Sequence, residues 1–354
     1  MLSKLGEKFT DFFKRNMPDA FVFALVLTLF TGLLAFFWLG TAPLKIVRSW
    51  YDGFWTLLEF GMQMVLLIIT GYSIALSGAV EKGIDKLARL IKRPRQVYYF
   101  VVLIGSLLSM VSWGWVVIAG VLARELALRI RGVNYNYLIA CTYFSSISWV
   151  TGMSSSIPLL LNTDQNFMVQ NGLLTATIPT SVTLGSLLNV CMMAVMLLLG
   201  PLLMYWLAPQ VNEGKDLIGL MGPESEQSPM GIREEAESLK HPYKTLSDRL
   251  NNSVVLQYAV AVMGLVYIIY HFGTKGLDLN LNIMIFVFIM LGLLLHKTPM
   301  RYGISMKRAS SNISAILFQF PFYAGIMGIM TFTGLGAALG KQIALVATPD
   351  SYPF

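Results

Sequence analysis

A chain of 354 residues with 55% hydrophobic and 13% charged side chains, at a mean hydropathy of +0.64, lies outside the range of soluble globular domains. Its formal charge of +7 sits in short segments beside apolar runs, where membrane topology accounts for it, so nucleic acid is excluded as a partner. Cys141 and Cys191 both fall inside apolar runs, which leaves no disulfide framework and no metal cluster; they read as packing residues.

Residues 2–17 pattern as an amphipathic surface helix ended by Pro18. The run Ala20 to Leu39 is too long for a signal-peptide core and reads as a retained first span going outward. Residues 44–58, with Trp50, Phe54 and Trp55, read as an interfacial segment, and Phe60 to Ala79 returns inward.

Residues 96–123 hold no Lys, Arg, Asp or Glu. As one helix they would reach about 42 Å against a hydrocarbon core of about 30 Å, too long for one span and too short for two. Ser112-Trp113-Gly114-Trp115 interrupts the run, and basic residues flank both ends, which predicts a re-entrant helical hairpin.

Residues 137–161 are apolar at both ends but crowded with Ser, Thr and Gly between them, which predicts a broken helix interrupted near Thr151 to Ser156 and turned away from lipid. Residues 162–181 form an external loop, and Val182 to Leu207 crosses back. Residues 208–253, with eight of the nineteen acids, form a polar linker. Val254 to Tyr270 goes out, Leu281 to Leu295 comes in and Ile313 to Leu335 goes out again.

Charge tests this order. With the hairpin, 22 of the 26 Lys and Arg fall on the inner side and 4 on the outer; with a single crossing in its place the split is 12 to 14. The positive-inside rule selects the hairpin and a cytoplasmic N-terminus, in a multi-pass membrane protein.

Phe60 to Ala79 lies without gaps on Phe318 to Ala337, pairing Phe60 with Phe318, Ile68 with Ile326 and Gly78 with Gly336. The two run in opposite senses, as an inverted-topology repeat requires. The expectation is therefore an all-α polytopic protein with an N-terminal membrane repeat at 1–207, a cytoplasmic linker at 208–253 and an incomplete C-terminal repeat at 254–354. A second hairpin and a second broken helix are absent from this second copy.

All acids and bases fall in loops or at span ends, and no histidine stands out as a relay. Gln63 and Gln319 read equally as paired core polars or as site residues. An intramembrane enzyme would need a nucleophile and base or a metal set at membrane depth, and no such motif is present. Hydroxyls, backbone amides and indoles are left for binding, which suits a small monoanion with an apolar tail. The candidate site is the hairpin tip, Ser112, Trp113, Gly114 and Trp115, facing Thr151, Gly152, Ser154, Ser155 and Ser156. Ser112 and Ser154 to Ser156 would donate to a carboxylate, Trp113 and Trp115 would line the alkyl pocket, and the two glycines would serve turning or close approach. The sequence implies no cofactor.

Several strings now stand together: Met17-Pro18-Asp19, Asp52-Gly53-Phe54-Trp55, Phe60-Gly61-Met62-Gln63-Met64, Trp113-Gly114, Ala123-Arg124-Glu125, Leu294-Leu295-His296-Lys297-Thr298-Pro299 and Gln319-Phe320-Pro321-Phe322-Tyr323-Ala324-Gly325. They resemble the bacterial short-chain fatty acid transporter family over nearly the whole chain. The resemblance implies a secondary carrier for butyrate, acetoacetate and similar acids, with inverted repeats, ion coupling and elevator motion. Family members continue past the position of Phe354 into a second hairpin and broken helix, so a non-transporting truncated protein is one alternative. A carrier of dicarboxylates is another, although two negative charges would call for more positive groups than the membrane region shows. The coupling ion, proton or sodium, and homodimer formation are left open.

Overall fold

A computed structural model describes residues 18–111, 115–164, 166–209, 217, 231–239, 245–276, 278–311 and 313–346. These form helices and turns, with no strand among them. In chain order the helices are α1 (Ala20–Leu39), α2 (Pro43–Phe54), α3 (Leu58–Ala75), α4 (Gly78–Leu90), α5 (Pro94–Val111), α6 (Trp115–Arg129) and α7 (Tyr135–Ser145). A 3₁₀ turn (Ser146–Thr151) follows, then α8 (Ser156–Leu161), α9 (Phe167–Gln170), α10 (Leu187–Trp206), α11 (Ile232–Ser238) and α12 (Leu246–Asn251). The chain continues through α13 (Val254–Lys275), α14 (Leu281–His296), α15 (Pro299–Ser310), α16 (Ser314–Phe332) and α17 (Leu335–Val346). The expected amphipathic helix at 2–17 and most of the 208–253 linker lie outside the described residues.

Among the described residues five helices are long and apolar enough to cross a membrane: α1, α3, α5, α10 and α13. A sixth is counted if Ile316–Phe332 and Leu335–Leu345, bent by 72°, make one span. The protein is thus an all-α polytopic membrane protein. α1 shows how such a helix differs from a soluble one. Its buried positions are the small Ala24, Thr31 and Ala35, while Phe23, Leu29, Phe30 and Phe37 are exposed. Small residues allow close helix approach, and large apolar ones face hydrocarbon at no cost. Thr28 and Thr31 return their hydroxyl protons to Ala24 O and Leu27 O, at 2.8 and 2.7 Å, so neither needs water.

Packing groups the chain into two compact units, residues 1–62 with 314–354, and residues 63–313. This grouping follows contacts, whereas the division at 207 and 254 follows the repeats and the linker. In the first unit, α2 and α16 cross with their backbones touching. A Cβ on Gly53 would lie 2.7 Å from Ala324 O and 2.7 Å from Gly328 Cα. Around that crossing Phe322 meets Phe21, Trp50 and Phe54, with ring centroids 5.0, 6.3 and 5.3 Å away. Trp50 and Phe54 therefore pack within this unit, while Trp55 is exposed.

The second unit contains α5 and α6, which fold back on one another. The phenol oxygen of Tyr98, near the start of α5, accepts a hydrogen bond from the amide of Asn134, beyond the end of α6, at 2.8 Å. In one continuous helix those residues would stand about 54 Å apart. Midway, a Cβ on Gly105 would lie 3.7 Å from the Cβ of Ala119. Val97, Val101, Leu122, Leu126 and Leu138 fill a common core with buried Cys141, whereas Cys191 lies exposed on apolar α10. Tyr98→Phe is expected to cost about 1 kcal/mol, the net worth of one hydrogen bond, read as a lower thermal transition in detergent.

The two segments aligned in the sequence, residues 60–79 and 318–337, are each interrupted near the same place. α3 ends at Ala75 and α4 begins at Gly78, positions aligned with Thr333 and Gly336, while α16 ends at Phe332 and α17 begins at Leu335.

Candidate functional site

The break between α7 and α8 follows from its composition. The hydroxyls of Ser145, Ser146, Ser148 and Thr151 donate to the carbonyls of Thr142, Tyr143, Ser145 and Ser148, at 2.6, 2.6, 2.9 and 2.8 Å. Such back-bonding competes with the α-helical ladder and tightens the chain into a 3₁₀ turn. Gly152 then runs extended (φ −119°, ψ −171°), and Pro158 sits in the first turn of α8, where its missing N–H goes unnoticed.

α5 ends against this break. The last carbonyls of a helix have no partner within it, and in a membrane they find no water. Here the Ser154 amide donates to Met110 O at 3.0 Å, and the Ser154 hydroxyl donates to Ser109 O. One turn earlier, the Ser109 and Ser148 hydroxyls are 2.5 Å apart and share the carbonyls of Ser106 and Ser145 at 2.9 to 3.0 Å. On the far side of the break, Asn189 Nδ2 of α10 donates to Thr151 O and Leu184 O, each at 2.9 Å.

The structure thus brings Thr151, Gly152, Ser154 and Ser155, all buried, to the end of α5, with Ser156 half-buried behind them. Trp115 is buried at the first position of α6. Ser112, Trp113 and Gly114 lie outside the described residues. Thr151 and Ser154 have committed their hydroxyl protons to carbonyls. The Ser155 hydroxyl, on a residue only 5% exposed, makes no hydrogen bond among the described residues, and its amide donates to Gly152 O at 3.0 Å. Gly152 is there for space: a Cβ would overlap Met110 O and lie 2.5 Å from Met110 Cα.

Three residues that the sequence reading did not single out complete the site: Ser106, Ser109 and Asn189. Ser106 and Ser109, one turn apart on one face of α5, and a lone amide within apolar α10, were the available signals.

Charge stays away from this place. Glu125 pairs with Arg129 at 3.2 Å, and Arg129 also reaches Asp85 at 3.0 Å. Gln63 donates to Asn282 Oδ1 at 3.0 Å, and Gln319 accepts from the Tyr323 hydroxyl at 3.4 Å. Among the described residues no three His, Cys, Asp or Glu side chains come together as metal ligands. What the site offers is neutral: the hydroxyl of a buried serine and backbone dipoles.

The model of a family described as short chain fatty acid transporter matches residues 1–354. A protein of Escherichia coli (strain K12) named "Putative short-chain fatty acid transporter" is 34% identical over 356 residues, covering 100% of this chain and 78% of that protein. A protein of Haemophilus influenzae with the same name is 31% identical over 358 residues, with the same shares covered. No solved structure matches.

Proposed function

We propose, from the premise that this chain belongs to the short chain fatty acid transporter family, that it carries butyrate, acetoacetate and similar monocarboxylates across the bacterial inner membrane. The transport is secondary, coupled to an ion gradient and run by alternating access. The N-terminus is cytoplasmic, and the α5–α6 hairpin re-enters from that side, in keeping with the 22 to 4 division of Lys and Arg. The site lies between the hairpin tip and the break, with Ser155 and Ser112 as donors to the carboxylate and Trp113 and Trp115 around the alkyl chain.

The observation that carries this reading is the Ser155 hydroxyl. It belongs to a residue only 5% exposed, and it has no hydrogen-bond partner and no ion-pairing Lys or Arg among the described residues. A lone hydroxyl without a cation suits one negative charge on a short apolar body better than two.

The test is uptake of labelled butyrate into proteoliposomes, with uptake by protein-free vesicles subtracted. Saturable uptake is expected, and Ser155→Ala should lower it about tenfold or more at low substrate, the worth of one hydrogen bond to a charged group. Full activity in Ser155→Ala would remove this site, and competition by succinate as strong as by unlabelled butyrate would move the substrate class to dicarboxylates.

A further inference from the structure

α14 joins the neighbourhood of the broken helix to a second polar cluster. At its start, the Leu281 amide donates to the Thr163 hydroxyl at 3.1 Å, and Asn162 Nδ2 donates to Leu279 O at 2.9 Å. Both partners lie immediately beyond α8. At its other end, about 22 Å along at 1.5 Å per residue, stands His296, only 4% exposed.

His296 Nε2 is 2.9 Å from the carbonyl oxygen of Ser73, in the last turn of α3. A carbonyl only accepts, so Nε2 carries the proton of the neutral ring and Nδ1 is its basic nitrogen. Nδ1 makes no hydrogen bond among the described residues. The Ser73 hydroxyl lies 2.6 Å from that of Ser305, which also reaches Ser73 O at 3.3 Å. Two helix C-termini, those of α3 and of α14 itself, bring their negative ends to this ring.

His296 is among the residues that line a cavity of about 580 Å³. Charged groups of both signs surround it. α4 presents Glu81, Lys82 and Asp85, α11 presents Arg233 and Glu234, and Lys297 and Arg301 follow the ring in the chain. Many are already engaged: Asp85 with Arg129 at 3.0 Å, Glu234 with the Gly231 amide at 3.1 Å, and Arg233 and Arg301 with Glu237 at 3.0 and 3.8 Å. Tyr302 stands against the ring, centroids 6.0 Å apart. Burial is the largest influence on the imidazole and holds it below its ordinary value, Arg301 lowers it further and the Ser73 carbonyl works the other way, so the neutral ring is the resting form and a proton must be driven onto it. Among the described residues no Asp, Glu, Lys or Arg is buried, while His271 and His296 are. His271 is turned to Asp278, whose carbonyl lies at 3.0 Å and carboxylate at 3.7 Å.

We propose that His296 is the proton-coupling residue of this carrier, taking up one proton at Nδ1 and releasing it to water in the adjoining cavity, with α14 relating its charge state to the broken helix. The inference rests on the carrier reading above. On release, the Nδ1–H bond breaks, its electron pair stays on the ring, and the proton passes to a water oxygen. One proton moved with one monoanion makes transport electroneutral.

The experiment compares the wild-type chain, His296→Gln and His271→Gln in proteoliposomes, using labelled acetoacetate and subtracting protein-free vesicles. Gln keeps an N–H donor for Ser73 O but does not titrate. Expected for His296→Gln is a loss of at least about tenfold in accumulation driven by an inward proton gradient, with counterflow exchange at zero gradient kept within about threefold. His271→Gln should retain both. The proposal is overturned if His296→Gln keeps proton-driven accumulation, if it loses counterflow as well, or if His271→Gln alone uncouples. Wild-type accumulation that follows sodium and ignores protons overturns it too. Absence of counterflow in the wild type would instead strike the carrier reading itself.

Discussion

Gly152→Ala is expected to abolish uptake and to destabilise the second unit by about 2–4 kcal/mol, from overpacking plus the loss of buried hydrogen bonds. Backbone strain is not the reason, because the extended conformation at Gly152 suits any residue. Space is the reason: the added methyl would overlap the Met110 carbonyl oxygen. That oxygen accepts from the Ser154 amide at 3.0 Å, so α5 cannot retreat without uncapping its own end. The Ser154 hydroxyl would leave Ser109 O in the same movement. Gly120→Ala on α6 is the control, since a Cβ there meets nothing within 4 Å. It should be neutral or stabilising by up to about 1 kcal/mol, the helix preference of Ala over Gly. Thermal unfolding in detergent and butyrate uptake, measured on both variants, check the pair. Wild-type behaviour of Gly152→Ala would mean that α5 and the break do not touch.

The second large effect belongs to the other unit. Gly328→Ala would drive a methyl into Ser49 O and to 2.5 Å from Gly53 Cα, and Gly53→Ala would strike Ala324 O and Gly328 Cα at 2.7 Å. Each variant should lower stability by about 2–4 kcal/mol, because backbone cannot step aside as a flexible side chain does. The double variant should cost little more than either single one, since both methyls force the same separation of α2 from α16. Unfolding transitions of the two singles and the double decide this. A double loss equal to the sum would show two independent clashes rather than one shared crossing.

Much of this was legible in the sequence, for reasons that differ from element to element. α1 spans Ala20–Leu39 as expected, since Asp19 caps it through the Phe21 amide at 2.8 Å and Gly40 ends it in a left-handed turn (φ 63°). The break near Thr151 to Ser156 was legible because Ser and Gly act on their own backbone within three or four residues. What ends at the break was not legible. Ser154 and Met110 are far apart in the chain, Asn189 reaches Thr151 from 38 residues away, and His296 meets Ser73 from 223 residues away. Such pairings depend on which helices become neighbours. The packing of the aromatic rings of α2 was not legible either, because Trp and Phe serve at a headgroup boundary and in a helix crossing alike, and the crossing is revealed only by Phe322, distant in the chain.

The bonds from Ser154 to the carbonyls of Ser109 and Met110 also limit how access to the site can alternate. A hairpin tip that swung open as an independent gate would pull two carbonyls away from their donors inside a water-poor interior, at about 1–3 kcal/mol for each. On the alternating-access proposal, the hairpin and the broken helix are then expected to travel as one piece, with solute admitted and released by displacing that piece whole. A cross-link between the end of α5 and the break should leave turnover intact, where in a tip-gated carrier it would freeze it.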